Sequence, residues 1–314
     1  MCEEHFDVAV NARATEFQSG PHRSQAPAPV VDISIVIPCR NGAASIRAQV
    51  ESIADQISTA DFEILVADNG STDRSAEEVR SIPLGSAQSI RVIDAGQRRG
   101  ANFARNRGAE VAMGSLLVFC DADDRVGAGW LDAFWTAFND GVELAGGTCN
   151  RFYPENKGLI SARTGLIDGL NFLPWPTGAN CAVSRTVFDN LRGFDETFIH
   201  GGDETEFFWR AQLRGYALML VEGAEITYIQ RPLGRPAFRQ SLVYGRSHVS
   251  LYAKFHSYGM PRTPFRLVLA SLTRMVFLFA TSRPRSQRRS EALKQLGIQL
   301  GRLQQSAKLR IWFP

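Results

Sequence analysis

A doubly wound α/β domain with a mostly parallel central sheet and a basic helical C-terminal extension is the fold class this sequence predicts. Three observations predict it. Short apolar runs alternate with helical stretches between residues 33 and 138, the rhythm of right-handed crossovers over a sheet covered on both faces. The run Leu116-Leu117-Val118-Phe119-Cys120 ends directly on Asp121-Ala122-Asp123, and open parallel sheets bind ligands at the C-terminal ends of their strands. Charge is divided along the chain. Residues 1–230 carry 31 Asp and Glu against 19 Lys and Arg, whereas residues 231–314 carry 16 cations against one acid, Glu291.

Taken in order, residues 1–31 contain Ser19-Gly20-Pro21 and Ala26-Pro27-Ala28-Pro29 without a sustained period, which predicts a flexible tail and linker. Residues 33–37 are an apolar strand stopped by Pro38. Ile46, Val50, Ile53 and Ile57 follow at helical spacing and predict one helix with all four facing inward. A second strand over 63–67 ends at Asp68. Ser71-Thr72-Asp73 then supplies N-cap chemistry for a helix that buries Ala76, Val79 and Ile82. A third strand covers 90–93, a third helix 101–113 and a fourth strand 116–120. Trp130, Phe134 and Phe138, at i, i+4 and i+8, form the core stripe of another helix. Beyond residue 145 the pattern loosens. A strand over 148–152 precedes an irregular stretch over 154–177, long enough to predict a functional loop. A strand over 180–184, a helix over 203–214 and two short strands, 217–221 and 225–229, complete the body. The expected division is a tail (1–31), a body (32–230, with a nucleotide-binding half to about 125 and an acceptor half from 126) and the extension (231–314).

The chain has 314 residues, 44% of them hydrophobic, which is ample for one large domain and an appendage. Its five cysteines, Cys2, Cys39, Cys120, Cys149 and Cys181, are scattered, odd in number and form no C-x-x-C pair. Reduced, buried thiols fit this pattern better than a disulfide framework. Glu3, Glu4, His5 and Asp7 stand where a secretory signal would be apolar, so a cytoplasmic location is expected. No nucleic-acid recognition motif accompanies the basic segment, and nucleic acid is not an expected partner.

Like charges at a strand tip repel, so Asp121 and Asp123 invite a hard divalent cation shared with substrate phosphates. An acidic turn with Asp124 capping the next helix is the competing reading. Pro38-Cys39-Arg40-Asn41 and Asp68-Asn69-Gly70-Ser71-Thr72-Asp73 follow the first two strands, where a nucleotide binds in such sheets. Gly100 and Ala101 permit close approach at a helix start, and Arg105 is a fork donor suited to phosphate or carboxylate. Gly201-Gly202 precede Asp203, Glu204 and Glu206, more acid than capping requires. A partly buried carboxylate among like charges is poised to accept a proton.

The segments S-I-V-I-P-C-R-N-G, V-A-D-N-G-S-T-D, G-A-N-F-A-R-N-R-G, F-C-D-A-D-D and G-G-D-E-T-E-F-F-W-R, in this order between residues 34 and 210, resemble those of a family 2 glycosyltransferase with the GT-A fold. The resemblance implies a metal-dependent, inverting transfer of a sugar from a nucleotide-sugar donor (UDP-, dTDP- or GDP-linked) to a hydroxyl of a glycan or lipid-linked acceptor. It implies that Asp68 reads the base, with Pro38, Arg40 and Asn41 near the nucleoside and Gly100, Arg105 and Ala122 around the donor. Asp123, with Asp121, would hold Mg²⁺ or Mn²⁺. Gly178 and Asn180 of Thr177-Gly178-Ala179-Asn180 would face sugar and acceptor, and Trp175 is a candidate for stacking on a sugar. The family's general base is usually written E-D; here the order is reversed, Asp203-Glu204, and Glu204 is favoured as the base. The reversal keeps a second reading open, a nucleotide-sugar-binding scaffold without activity. A sugar nucleotidyltransferase is disfavoured, because no Gly-rich phosphate loop follows the first strand.

In the extension, the apolar stretch 267–280 is interrupted only by Thr273 and Arg274 and is too short for the roughly 20 residues of a membrane span. Arg262, Arg266, Arg283, Arg285, Arg288 and Arg289 border it. Two readings stand equally: an interfacial helix over 262–289 on an anionic leaflet, peripheral at the inner face of the cytoplasmic membrane, or an appendage packed on the acidic body.

Overall fold

The computed structural model describes residues 31–152, 160–199, 201–230, 235–283 and 286–313. The tail expected over 1–31 lies outside them except for Val31, as do Cys2, Pro154 and Arg285. Four strands, β1 (Ile33–Cys39), β2 (Phe62–Asp68), β3 (Ser89–Asp94) and β4 (Leu116–Cys120), pair in the order β3-β2-β1-β4, all parallel. Their side chains alternate strictly between two cores. Ile33, Ile35 and Ile37 of β1 face one layer with Leu116, Val118 and Cys120, while Val36, Leu117 and Phe119 face the other. Helices α1 (Ile46–Ala54), α2 (Ser75–Arg80) and α4 (Trp130–Asn139) cover the first face, and α3 (Ala101–Glu110) contributes Ala109 to the second.

Beyond β4 the sheet is mixed. β8 (Asn180–Ser184) runs antiparallel to β4 and to β6 (Leu144–Phe152), β6 pairs parallel with β9 (Leu218–Ile229), and β5 (Arg125–Val126) closes that edge antiparallel to β9. The antiparallel step at β4–β8 decides the site. It sets Cys120 opposite Asn180, so the segment entering β8 starts at the same edge where β1, β2 and β4 end.

Several sequence expectations are corrected here. β1 runs through Pro38, which sits in register with Ala67, because pairing with β4 stops at Val36 and leaves that side an edge. Ile57 is 87% exposed: α1 ends at Ala54, and Gln56 turns aside to bond Gly127 O and Trp130 N. Arg74 occupies the N-cap position of α2; Ser71 and Thr72 lie in the preceding loop, and Asp73, one residue before the cap, accepts the first helical N–H, that of Ser75, at 3.1 Å. The stretch over 154–177 is not irregular throughout. It contains β7 (Ile160–Thr164), antiparallel to β6, and Ile167 and Trp175 exchange backbone hydrogen bonds of 2.7 and 3.0 Å. The two strands expected over 217–229 are one, β9, whose register jumps from Val221 to Glu225 opposite Gly147 and Thr148. Residues 222–224 bulge out there, and a Cβ on Gly147 would meet Ala224 O at 2.3 Å.

The second face is closed by α5 (Arg185–Asn190), α6 (Asp203–Leu213) and the extension, which comprises α7 (Arg235–Phe255), α8 (Phe265–Thr281) and α9 (Gln287–Leu309). Phe207, Phe208 and Trp209 of α6 pack in one cluster with Val249, Leu251, Tyr252 and Phe255 of α7. Lys254 Nζ reaches Asp195 at 2.5 Å and Glu206 at 2.8 Å, so part of the charge division is resolved by a cation of the extension seated on the acidic body.

α7 and α9 touch backbone to backbone. A Cβ on Gly245 would lie 2.1 Å from Ile298 O, and one on Gly301 2.1 Å from Leu242 O. Gly301→Val therefore has nowhere to place its side chain and should destabilise the pairing by roughly 1–3 kcal/mol. Earlier proteolytic release of the C-terminal helices in the variant would show it, and unchanged resistance would refute the close packing. In the same seam His248 Nδ1 lies 3.2 Å from an Arg302 nitrogen. Burial first, and Arg302 second, push the His248 pKa down to about 3. The unfolded chain, with a histidine near 6.5, takes up this proton first. Stability is therefore complete above about pH 6.5 and drains as the pH falls towards 3, on the order of 1–2 kcal/mol at pH 5. Urea midpoints at pH 8 and pH 5 should differ less in His248→Gln than in the parent chain.

The described thiols, Cys39, Cys120, Cys149 and Cys181, are free and buried. Burial raises Cys39 to about 11 and Cys149 to about 12, which makes them packing residues rather than nucleophiles.

Candidate active site

A cleft of about 1310 Å³ opens at the C-terminal edge of the parallel strands. Pro38, Arg40 and Asn41 line it after β1, Gly100 and Arg105 at the start of α3, and Asp121, Ala122 and Asp123 after β4. Gly178 enters from the start of β8, and Asp203 and Glu204 from the first turn of α6. The loops after β1 and β2 are sewn together: Asn41 N–H donates to Ser71 Oγ (2.9 Å), Thr72 N–H to Asn41 Oδ1 (2.8 Å) and Ala43 N–H to Asp73 (3.0 Å). Asn41 holds a left-handed φ of 53° to do so. Asp68 ends β2 at the same edge, its Oδ1 accepting from Ser71 N–H at 2.9 Å, while its neighbour Asn69 reaches the cleft and accepts from Gly100 N–H at 2.9 Å.

Arg105 is the hub. Its side chain is 5% exposed and donates to Asp203 Oδ2 at 2.5 Å and to Asp121 Oδ1 at 3.2 Å. The guanidinium also lies over the Phe194 ring, 5.6 Å from its centroid. Burial alone would favour losing the proton, but Asp203, Asp121 and Glu204 outweigh it and hold the charge firmly on. Of the two partners the sequence left open for this fork, phosphate or carboxylate, the structure shows carboxylates on both terminal nitrogens. Gly178 packs closely beside it: a Cβ there would sit 3.1 Å from Arg105 Nη2, so the guanidinium would have to shift by a few tenths of an ångström.

Asp121, Asp123 and Asp124 each offer an oxygen within 4.8 Å of the others. Asp124 is no helix cap. Its side chain is buried, Oδ1 accepts from Ile229 N–H at 2.9 Å, and Oδ2 has no partner. Burial, then the neighbouring Asp121, raises its pKa to about 9. A buried carboxyl oxygen left unpaired beside two further carboxylates is a donor set fitted to a hard divalent cation. The third acid was visible in D-A-D-D, but nothing in the sequence distinguishes a buried aspartate from a cap.

Asp203 and Glu204 differ in environment despite being adjacent. Asp203 is committed to Arg105. Burial and the neighbouring Asp203 carboxyl lift the Glu204 pKa well above the usual carboxylate range, with Arg105 opposing. α6 starts on two left-handed glycines, Gly201 (φ 82°) and Gly202 (φ 76°). The third acid of the motif, Glu206, is fully buried and bonded to Arg210 and Lys254, so it holds the fold.

Two expected site residues stand elsewhere. Asn180 is fully buried, donating to Thr148 O and Ala224 O and accepting from the Trp130 indole at 2.8 Å. Every polar atom is occupied, and it pins β8 to β6 and α4. Trp175 is 7% exposed and packs edge-on against Trp209, ring centroids 5.6 Å apart, in the second core, which removes it as a sugar platform. Conversely, sequence reasoning missed Tyr228 at the end of β9 and the α7 residues Arg235, Arg239, Gln240, Val243 and Tyr244, all of which line the cleft.

The profile described as "Glycosyl transferase family 2" matches residues 34–193. The chain belongs to glycosyltransferase family 2. Among similar proteins, glycosyltransferase AglE of Haloferax volcanii is 27% identical over 70% of this chain and 74% of its own length. The succinoglycan biosynthesis protein ExoA of Rhizobium meliloti is 27% identical over 76% of this chain and 75% of its own. Among solved structures, the mannosyltransferase PcManGT from Pyrobaculum calidifontis, in complex with GDP-Man and Mn²⁺, superposes with a TM-score of 0.61 over 90% of this chain and 89% of its own, at 16% identity. The S. aureus TarS 1–349 complex with UDP gives 0.50 over 90% and 93%, at 14% identity. The likeness carries the GT-A fold, and the family makes this protein a glycosyltransferase.

Proposed function

We propose that this family 2 enzyme moves a sugar, with inversion, from a nucleoside diphosphate to a hydroxyl of a glycan or lipid-linked acceptor. One observation carries the reading: Arg105 fastens the Asp121 strand tip and the Asp203 helix start into one cleft. A cation-type acid cluster and a proton-accepting glutamate thereby face the same space. Asp123, with Asp121 and Asp124, would hold Mg²⁺ or Mn²⁺, which when bound supplies a Lewis acid for the leaving diphosphate. Glu204 accepts the proton of the attacking hydroxyl, as its raised affinity for a proton suits it to do. Arg105 keeps Asp203 charged and placed beside it, and Pro38, Arg40, Asn41, Gly100 and Ala122 shape the donor side. Neighbours bound to GDP-Man with Mn²⁺ and to UDP support a UDP-, dTDP- or GDP-linked donor, and ExoA supports a glycan product.

The proposal includes the division into a body over 32–230 and an extension over 231–314. No described helix is long and apolar enough to cross a membrane. α8 instead exposes Leu267, Leu269, Val276 and Phe277, each between 48% and 64% accessible, with Arg266 and Arg274 interspersed. These exposed apolar side chains, spread around α8 with cations among them, suit the headgroup layer of an anionic, cytoplasm-facing leaflet. The packing of α7 on the body and the exposure of α8 thus satisfy different halves of the extension.

A thermal-shift panel of UDP-, dTDP- and GDP-sugars with and without Mn²⁺ tests the donor. At least one should raise Tm only when Mn²⁺ is present. No shift with any of them would sink the reading.

A further inference from the structure

We propose that Arg235 and Arg239 are a phosphate-binding pair that the C-terminal extension adds to the catalytic cleft. They stand at i and i+4 on α7, one turn apart on one helix face, and Val243 continues that face at i+8. All three line the same cleft as Asp121, Asp123 and Glu204. Both arginines are exposed, and among the described residues neither makes an ion pair or hydrogen bond. Some cations of the extension are engaged, Lys254 with Asp195 and Glu206, Arg246 with Gln304, Arg262 with Tyr252; others, such as Arg266 and Arg274, are exposed like Arg235 and Arg239 but do not line the cleft. Like charges one turn apart repel, so an unpaired pair turned into a cleft is suited to an anion that bridges them.

The opposite wall explains why the anion comes from a ligand. Two carboxylates of this cleft, Asp121 and Asp203, are taken by Arg105, the Asp121-Asp123-Asp124 set is fitted to a cation, and among the described residues Glu204 makes no ion pair with either arginine of α7. Arg105, a fork suited by sequence to phosphate or carboxylate, has both terminal nitrogens occupied by carboxylates. Phosphate charge entering the cleft meets exposed guanidinium groups on two sides, Arg40 and Arg99 on the strand side and Arg235 with Arg239 on the α7 wall. α7 is anchored to α6 by close contact: a Cβ on Gly202 would lie 3.0 Å from Ser247 Cβ, and one on Gly201 3.0 Å from Tyr244. The arginines are thus carried on an element packed against the Asp203-Glu204 turn. Two ligands of the proposed reaction bring phosphate, the nucleoside diphosphate and a phosphate-linked lipid acceptor, and the shared chemistry is what the pair recognises.

The inference rests on the donor reading above, and the test separates their failures. Binding of UDP and GDP with Mn²⁺ is measured by calorimetry for the parent chain, Arg235→Gln/Arg239→Gln and the control Lys308→Gln, an exposed cation of α9 outside the cleft. Flotation with phosphatidylcholine–phosphatidylglycerol vesicles, with and without a polyprenyl phosphate, is measured for the same three. A loss of tenfold or more in nucleotide affinity confined to the double variant assigns the pair to the donor diphosphate. Unchanged nucleotide affinity with loss of the polyprenyl-phosphate increment assigns it to the acceptor. Less than a twofold change in both overturns the inference. A parent chain that binds neither UDP nor GDP sinks the donor reading itself, whatever the arginines do. Melting temperatures within 2 °C, on the order expected for exposed substitutions, show that the variants fold.

Discussion

Glu204→Gln should lower sugar transfer by about 10²–10⁴-fold, the usual worth of a positioned general base, while leaving Tm and donor binding nearly unchanged. The amide keeps the size of the side chain and removes only its capacity to take the proton. Asp203→Asn should behave differently. It strips a 2.5 Å partner from an arginine whose side chain is 5% exposed, and breaking a buried pair costs roughly 3–5 kcal/mol. The expected pattern is therefore a stable but inactive Glu204→Gln and an unstable Asp203→Asn. Single-turnover rates beside melting curves distinguish them. If Asp203→Asn were stable and inactive while Glu204→Gln kept its rate, the roles would have to be exchanged.

Asp123→Ala should reduce transfer by about 10²–10³-fold, corresponding to the few kcal/mol that a Lewis acid contributes at a leaving diphosphate. The side chain is exposed, so folding should not suffer. Mn²⁺ binding followed by calorimetry should weaken in parallel, and it should weaken again in Asp124→Asn. Without a cation Asp124 holds its proton up to about pH 9, so Mn²⁺ must displace that proton. Affinity should therefore rise with pH between about 6 and 9, and the rise should be shallower in Asp124→Asn. Full activity of Asp123→Ala in a chelator would remove the cation from the account.

Much of this was legible in the residues because local physics forces it. The alternation of apolar runs with helical stripes located β1, β2, β3, β4 and their crossovers, since strands buried on both faces are mostly apolar; the buried exceptions in β1 and β2, Ser34 and Glu63, bond each other at 2.8 Å. Five short motifs, each weak alone, located the cleft: three fall at the ends of β1, β2 and β4, which a parallel sheet must bring to one edge, and two at the starts of α3 and α6. What escaped was non-local. β5 has two residues and no period of its own. β9 read as two strands because its bulge carries Glu222 and Gly223. Trp175 and Asn180 looked like ligand groups, and only their partners, Trp209 in one case and Trp130, Thr148 and Ala224 in the other, show them to be structural.

Identity of the acidic clusters and the charge imbalance of the two segments are properties of residues in series, and the order of the chain alone establishes them. Whether a charge is free or committed depends on groups far away in that order. Arg105 meets Asp203 across 98 positions, Asp124 meets Ile229 across 105, and Arg235 enters a cleft begun at Pro38. Coulomb interaction and desolvation act through space, over a few ångströms. Folding was therefore needed to decide between phosphate and carboxylate for Arg105, making it the link between two acid sets, and to leave two unremarkable arginines of the extension facing the site.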